Sequence, residues 1–358
     1  MDKNRFTNIL ISNNKKASFN FADNSENPIS IYKVHLIRDL NFITDIKCLF
    51  QIINILKEVN PDLIHCHSTK AGIIGRIAGA YLGIPTVYTP HAFSYLSTNN
   101  RLKKAFYKSI EKLFVVFPSS ILACSKSEYD RASKDLNFKK NKIYLWENSV
   151  EEESCLKSPN TTKSINMTYL CSVGRASYQK NFEMLVRTIS FVKKMFSEIH
   201  LIIVGIGNKS QYNDALEAQI SRLGLSKNIT IIPWLDRRET LNIINESNIY
   251  LSSSLYEGLP YAVLEAISLS KPCIVTNVDG NKDLIFHNYN GFLIEKNDDE
   301  AMAKGIIALL QDKESLKRMS NNSKKIFIEK YNIINNIKKL EEIYLEKIAN
   351  DIIINPSL

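Results

Sequence analysis

Residues 248–276 read NIYLSSSLYEGLPYAVLEAISLSKPCIVT, and this stretch decides the fold. A β-branched run near 248–252 ends in a polar Ser-Ser-Ser loop. An apolar stretch at helical spacing follows over 259–269, with Pro260 in its first turn, where a missing N–H is harmless. Lys271-Pro272 then punctuates a second strand near 272–276. Strand, helix and strand of these lengths form one βαβ unit, and such units build parallel sheets.

The same alternation extends in both directions. Strands are expected near 31–37, 62–66, 85–89, 120–124 and 142–146, with helices such as 44–59 and 70–82 between them. A second series has strands near 167–173, 199–204, 228–232 and 292–294, and helices near 180–194, 211–223, 238–246 and 299–311. The polar stretch Glu151–Ile165, with Pro159, is expected as a linker, and residues 314–349 as a helical tail. The fold class expected is therefore α/β. Two Rossmann-like doubly wound parallel-sheet domains, 1–150 and 166–330, would flank a cleft, with a helical tail at 331–358 packing back toward the first. Ligands of such sheets bind outside the carboxyl ends of the strands.

Composition sets bounds on this picture. A chain of 358 residues, 44% hydrophobic and 23% charged, can bury two cores. The longest apolar candidate, Leu113–Cys124, is too short for a membrane span and is interrupted by Pro118, so it is expected as a buried strand with its approach. No signal pattern opens the chain. Six scattered Cys, at 48, 66, 124, 155, 171 and 273, form no CxxC pair, which points to reduced core thiols in a cytoplasmic protein.

The net charge of +9 is unevenly spread. Residues 1–150 hold 21 Lys/Arg and 12 Asp/Glu, whereas 151–358 hold 25 of each. Within the basic half, Arg101, Lys104, Lys108 and Lys112 fall on one helical stripe, with Leu102, Phe106, Ile110 and Leu113 opposite. One reading is a packed amphipathic helix with a solvated basic face; the other is a surface for an anionic membrane or a diphosphate-bearing lipid. Nucleic acid is not expected, because no recognition motif or aromatic platform accompanies the charge.

Three segments carry chemistry. In the first, Glu257 precedes the helix start at Gly258-Leu259-Pro260, and Glu265 lies on that helix, one face being expected to present both carboxylates. Free N–H groups at a helix start suit an anionic or hydroxyl-rich ligand, and carboxylates accept bonds from vicinal hydroxyls. In the second, Val173-Gly174 ends a strand, and Arg175 and Lys180 follow before a helix, where two cations can neutralise a diphosphate. The third is Tyr88-Thr89-Pro90-His91-Ala92-Phe93, which places a lone His after a strand. His65 and His67 flank Cys66 without a fourth ligand nearby, so they are read as packing and loop-shaping residues, and no metal site is expected. Val204-Gly205-Ile206-Gly207 lacks the third Gly of a dinucleotide fingerprint.

The ordered set Ser-x-x-Glu-Gly-Leu-Pro, helix, Glu, and Lys-Pro-Cys-Ile-Val-Thr, continued by Asp279-Gly280-Asn281 and Asn290-Gly291-Phe292-Leu293, resembles the retaining family 4 glycosyltransferases of the GT-B fold. The resemblance runs over about residues 60 to 311. It implies that Glu265 binds the ribose hydroxyls of a nucleotide, and that Glu257 with Gly258, Leu259 and Pro260 holds donor sugar and phosphate. Gly174, Arg175 and Lys180 would stabilise the departing diphosphate, Gly205 would lie near the nucleotide, and His91 would reach across the cleft to the sugar or leaving phosphate.

The implied activity is metal-independent transfer of a hexose from a UDP-linked sugar, with retention, to a glycan or polyprenyl diphosphate-linked acceptor in bacterial surface polysaccharide assembly. The implied location is cytoplasmic, with peripheral contact at the inner membrane face. Two further readings are a nucleotide-sugar epimerase and a catalytically dead homologue. The latter rests on the N-terminus: no Gly precedes Gly72, and the family's first strand and Gly-rich loop are expected to be missing or replaced. Pro233-Trp234-Leu235 stands where the family often has Leu-Gly, so base recognition is expected to differ; Asn148-Ser149-Val150 stands where Asn-Gly-Val is frequent.

Overall fold

The computed structural model describes residues 1–13, 29–37, 41–152, 169–207 and 211–354. The expected linker lies largely outside the described residues, as does Cys155. The chain forms two compact units. One comprises 1–124, 128–146 and 337–358; the other comprises 125–127 and 147–336.

The first unit opens with β1 (Ile9–Ser12) and β2 (Ser30–Lys33), which pair in parallel, Leu10 opposite Ile31. A first strand is therefore present, which corrects the expectation that it is missing. The signal is weak because four residues of β1 are followed by no glycine turn. Helix α1 (Phe42–Val59) follows, capped by the Asn41 side chain. Then β3 (Ile64–His67), α2 (Thr69–Leu82), β4 (Thr86–Thr89), α3 (Arg101–Leu113), β5 (Ser119–Ala123), α4 (Lys126–Lys134) and β6 (Ile143–Leu145) alternate. β3 to β6 make a parallel sheet in chain order. Its strands are short, and β4 and β5 are buried throughout.

The second unit places β7 (Tyr169–Val173), α5 (Phe182–Val192), β8 (His200–Val204), α6 (Gln211–Arg222), β9 (Ile229–Ile232) and α7 (Arg237–Glu246) on one side. After β10 (Ile249–Ser252), α8 (Tyr261–Ser268), β11 (Cys273–Thr276), α9 (Asn281–Leu284), β12 (Gly291–Ile294) and α10 (Asp299–Gln311), the sheet order is β12-β11-β10-β7-β8-β9, all parallel. The chain thus winds outward in opposite directions from the adjacent pair β7 and β10. That reversal opens a crevice at the carboxyl ends of these two strands. Helices α11 (Lys313–Ile326) and α12 (Ile333–Ile354) complete the chain, and α12 belongs to the first unit from Ile337 onward. There Leu340 and Ile343 join Val87 and Leu122 in a core cluster.

Several boundaries differ from the sequence reading. α8 begins at Tyr261 with Pro260 as its N-cap, not at Leu259. The run Leu113–Cys124 is, as expected, a buried strand, Ser119–Ala123, with its approach, in which Leu113 and Val116 are exposed. Five cysteines, Cys48, Cys66, Cys124, Cys171 and Cys273, are buried free thiols. No described helix is long and apolar enough to cross a membrane.

Candidate functional site

Glu257, Lys180 and Gly174 come together at the crevice between β7 and β10. The loop after β7 and the loop after β10 are stitched to each other. Ser253 Oγ donates to the carbonyls of Lys180 and Asn181 (2.8 and 2.9 Å), and Leu255 N–H donates to the Gln179 carbonyl (2.8 Å). Gln179 Nε2 returns a bond to the Tyr256 carbonyl at 3.0 Å. With both backbones tied, the Lys180 ammonium sits 2.7 Å from Glu257 Oε1. The same oxygen accepts from Ser254 Oγ at 2.8 Å, while Oε2 accepts from Gln179 Nε2 at 3.2 Å. Glu257 is 7% exposed, so its charge depends on these donors rather than on water.

The glycines are explained by close approach. A Cβ on Gly174 would lie 2.9 Å from Cε of Lys180, so the lysine stem runs across the space that a side chain would fill. Gly205 has φ +100° and lies against the Gly174 carbonyl, so the loops after β7 and β8 abut. The ring of Trp234, 57% exposed, lies over Gly205 and Gly207. Arg175 is exposed and makes no ion pair among the described residues.

The turn before α8 is fixed from behind. Asn148 Nδ2 donates to the Leu259 carbonyl at 2.9 Å, both residues being buried. Gly280, at φ +78°, packs on the Gly258 carbonyl so tightly that a Cβ would approach to 2.5 Å. Thr276 Oγ1 donates to the Ser254 carbonyl, and Asn281 Nδ2 to the Thr276 carbonyl at 3.0 Å. Sequence reasoning singled out Glu257 and Gly258 but missed the roles of Asn148, Thr276 and Asn281; polar residues flanking a strand end were the available signal.

Glu265 has different surroundings from Glu257. Its Oε1 lies 3.4 Å from Arg237 Nε, and both line a cavity of about 280 Å³ with Ser149, Glu151, Tyr261 and Ile333. The bonds that fix the two carboxylates thus come from different neighbours, Lys180 for one and Arg237 for the other. Arg237, at the first position of α7, was not foreseen as Glu265's partner.

In the first unit, His91 lies just beyond β4. Its Nε2 and Nδ1 of His67 share a hydrogen bond of 2.9 Å, and the rings stack with centroids 5.2 Å apart. The His65 ring follows, 4.0 Å from that of His67, and is held by Thr89 Oγ1 and the Tyr344 hydroxyl. The two histidines read as packing residues thus form one column with His91. Loss of water around the rings, with mutual repulsion of protonated neighbours, lowers His91 to about 4; burial likewise holds His65 well below its ordinary value. His91 and Ala92 have φ +53° and +77°, a strained pair for residues with a Cβ. Glu128 offsets that strain by accepting from the Ala92 N–H at 2.9 Å and from the Cys124 N–H at 2.8 Å. No group of three or more potential ligands that could hold a metal occurs among the described residues.

Residues 158–326 match the family model Glycosyl transferases group 1, and residues 9–154 match Glycosyltransferase Family 4. The chain is 29% identical to the UDP-Gal:alpha-D-GlcNAc-diphosphoundecaprenol alpha-1,3-galactosyltransferase of Escherichia coli, over 88% of this chain and 83% of that one. It is 24% identical to the capsular polysaccharide biosynthesis glycosyltransferase CapM of Staphylococcus aureus, over 86% and 82%. Sucrose-phosphate synthase from Thermosynechococcus elongatus has the same fold, with a TM-score of 0.81 at 15% identity over 95% of this chain and 88% of that one.

Proposed function

Because the chain belongs to the GT-B glycosyltransferases of the group 1 and family 4 type, we propose that its second unit binds a UDP-linked hexose and transfers the sugar, with retention, to a polyprenyl diphosphate-linked glycan. The observation that carries this reading is the Lys180–Glu257–Ser254 cluster at the carboxyl ends of β7 and β10. A buried carboxylate that accepts from an ammonium and a hydroxyl is held ready for sugar hydroxyls. The ammonium keeps further protons for a phosphate oxygen.

In this reading Arg175 and Lys180 supply positive charge to the diphosphate, without a metal. The N–H groups at Gly258, Leu259 and the start of α8 add partial positive charge. Glu265 accepts from the ribose hydroxyls, and His91 donates to the sugar or the leaving phosphate. The acceptor hydroxyl attacks the anomeric carbon on the face the diphosphate leaves. The bond from that carbon to the phosphate oxygen breaks, its electron pair goes with the diphosphate, and the hydroxyl proton passes to a leaving phosphate oxygen. Charge that grows on the leaving group meets cations already in place, which lowers the barrier. The Escherichia coli relative, whose name gives a UDP-galactose donor and a diphosphoundecaprenol-linked acceptor, supports this choice of substrates, and CapM, named for capsular polysaccharide biosynthesis, supports a place in surface-polysaccharide assembly.

The test is transfer by Lys180→Ala and Glu257→Ala, assayed with a panel of nucleotide sugars. Each is expected to lose roughly a thousandfold in turnover, with circular dichroism showing that the variant still folds. Wild-type turnover in either variant would remove the assignment.

A further inference from the structure

Helix α3 is mounted with its polar side inward. Its one fully buried side chain is Glu111, which accepts from the Tyr88 hydroxyl at 3.0 Å and pairs with Arg76 at 3.4 Å. The Arg76 guanidinium lies over the rings of Tyr88 and Phe114, 4.3 and 4.8 Å from their centroids. Leu102, Phe106 and Leu113 share the opposite face at the helical three-and-four spacing and are 83%, 56% and 64% exposed. Val116, in the turn that continues the helix, is 78% exposed. This overturns the reading in which the apolar stripe packs inward and only the basic face meets solvent.

The apolar stripe is bordered by cations. Arg101 and Lys112 flank it on one side and Lys103 on the other, with Lys104 exposed beyond. Lys108, on the same helix, is instead drawn inward, by Asp135 at 3.4 Å. Helix α1 also leaves Phe42, Ile43 and Phe50 outside, but without a comparable run of cations. A second copy of the chain seated on α3 would bring these cations face to face and be repelled. A surface that offers anions around an apolar layer satisfies both features, and that is the boundary of an anionic bilayer.

We propose that α3 and the turn after it lie in the headgroup boundary of an anionic membrane, with Leu102, Phe106, Leu113 and Val116 inserted and Arg101, Lys103 and Lys112 on lipid phosphates. The proposal is independent of the donor assignment. It is tested by sedimenting the full chain with vesicles of phosphatidylglycerol and phosphatidylcholine in equal parts, and with phosphatidylcholine alone. Binding is expected to the anionic vesicles only and to weaken as salt rises.

Lys103→Gln and Lys112→Gln should each lower binding about fivefold at low salt. Phe106→Ser combined with Leu113→Ser should lower it about tenfold or more, with circular dichroism and transfer to a water-soluble acceptor kept. Three results would overturn the proposal: absence of binding to anionic vesicles at low salt, equal binding by the Phe106/Leu113 variant, or self-association of the wild type that this variant abolishes. Because the soluble-acceptor assay reads the donor site separately, failure of membrane binding and failure of the transferase reading are distinguishable.

Discussion

Helices α3 and α8 have opposite interiors. α8 buries Val263, Leu264, Ala266 and Ile267 and leaves Tyr261 outside. α3 buries Glu111 and leaves Leu102, Phe106 and Leu113 outside. Both are amphipathic in sequence, so an apolar stripe shows where a helix is greasy but not which way it faces. The facing is decided by what waits behind it. Behind α8 lies an apolar layer; behind α3 lies Arg76, whose guanidinium is otherwise desolvated against two aromatic rings. A buried cation without a carboxylate is far more costly than an exposed leucine.

The sharpest way to break this comparison is to remove the inward charge of α3. Glu111→Ala strands Arg76 and should cost about 3–5 kcal/mol, read from the shift of the urea midpoint; a loss below about 1 kcal/mol would mean that the ion pair does not hold the helix. Next comes the matched pair of leucines. Leu264→Ala in α8 should destabilise by about 2–5 kcal/mol, whereas Leu102→Ala in α3 should stay within about 0.5 kcal/mol. Equal losses at the two sites would show that both helices bury their apolar faces.

The smallest effect concerns the histidine column, the counterpart in the first unit of the Lys180–Glu257 cluster. His91, lowered to about 4 from 6.5, binds fewer protons in the folded chain than in the unfolded one throughout that interval. Stability is therefore complete above pH 6.5 and is lost as pH falls through the window toward 4. Thermal melts of the wild type across this range should show the slope, and His67→Gln with His91→Gln should reduce it, the remainder belonging to His65. An unchanged slope would place the acid sensitivity elsewhere.

Much of the candidate site was legible because its signals are local. Gly174, Glu257, Gly258 and Pro260 sit where strand gives way to helix, and turn chemistry marks such junctions. β1 was not legible, since four residues without a glycine turn carry little pattern. Nor were Asn148 and Asn281, whose amides act on carbonyls of other loops, nor the pairing of Arg237 with Glu265.

The order of strands and helices, the two α/β series and the chemistry-bearing loop residues follow from the amino-acid sequence alone, because apolar periodicity and turn residues act over a few positions. Only the tertiary structure decided that the loops after β7 and β10 face one crevice, that Lys180 fills the space beside Gly174, that three histidines stack, and that α3 turns its carboxylate inward. Each of those depends on which distant groups share a desolvated space, and the cost of leaving a charge or an amide unpaired there is paid between residues far apart in the chain.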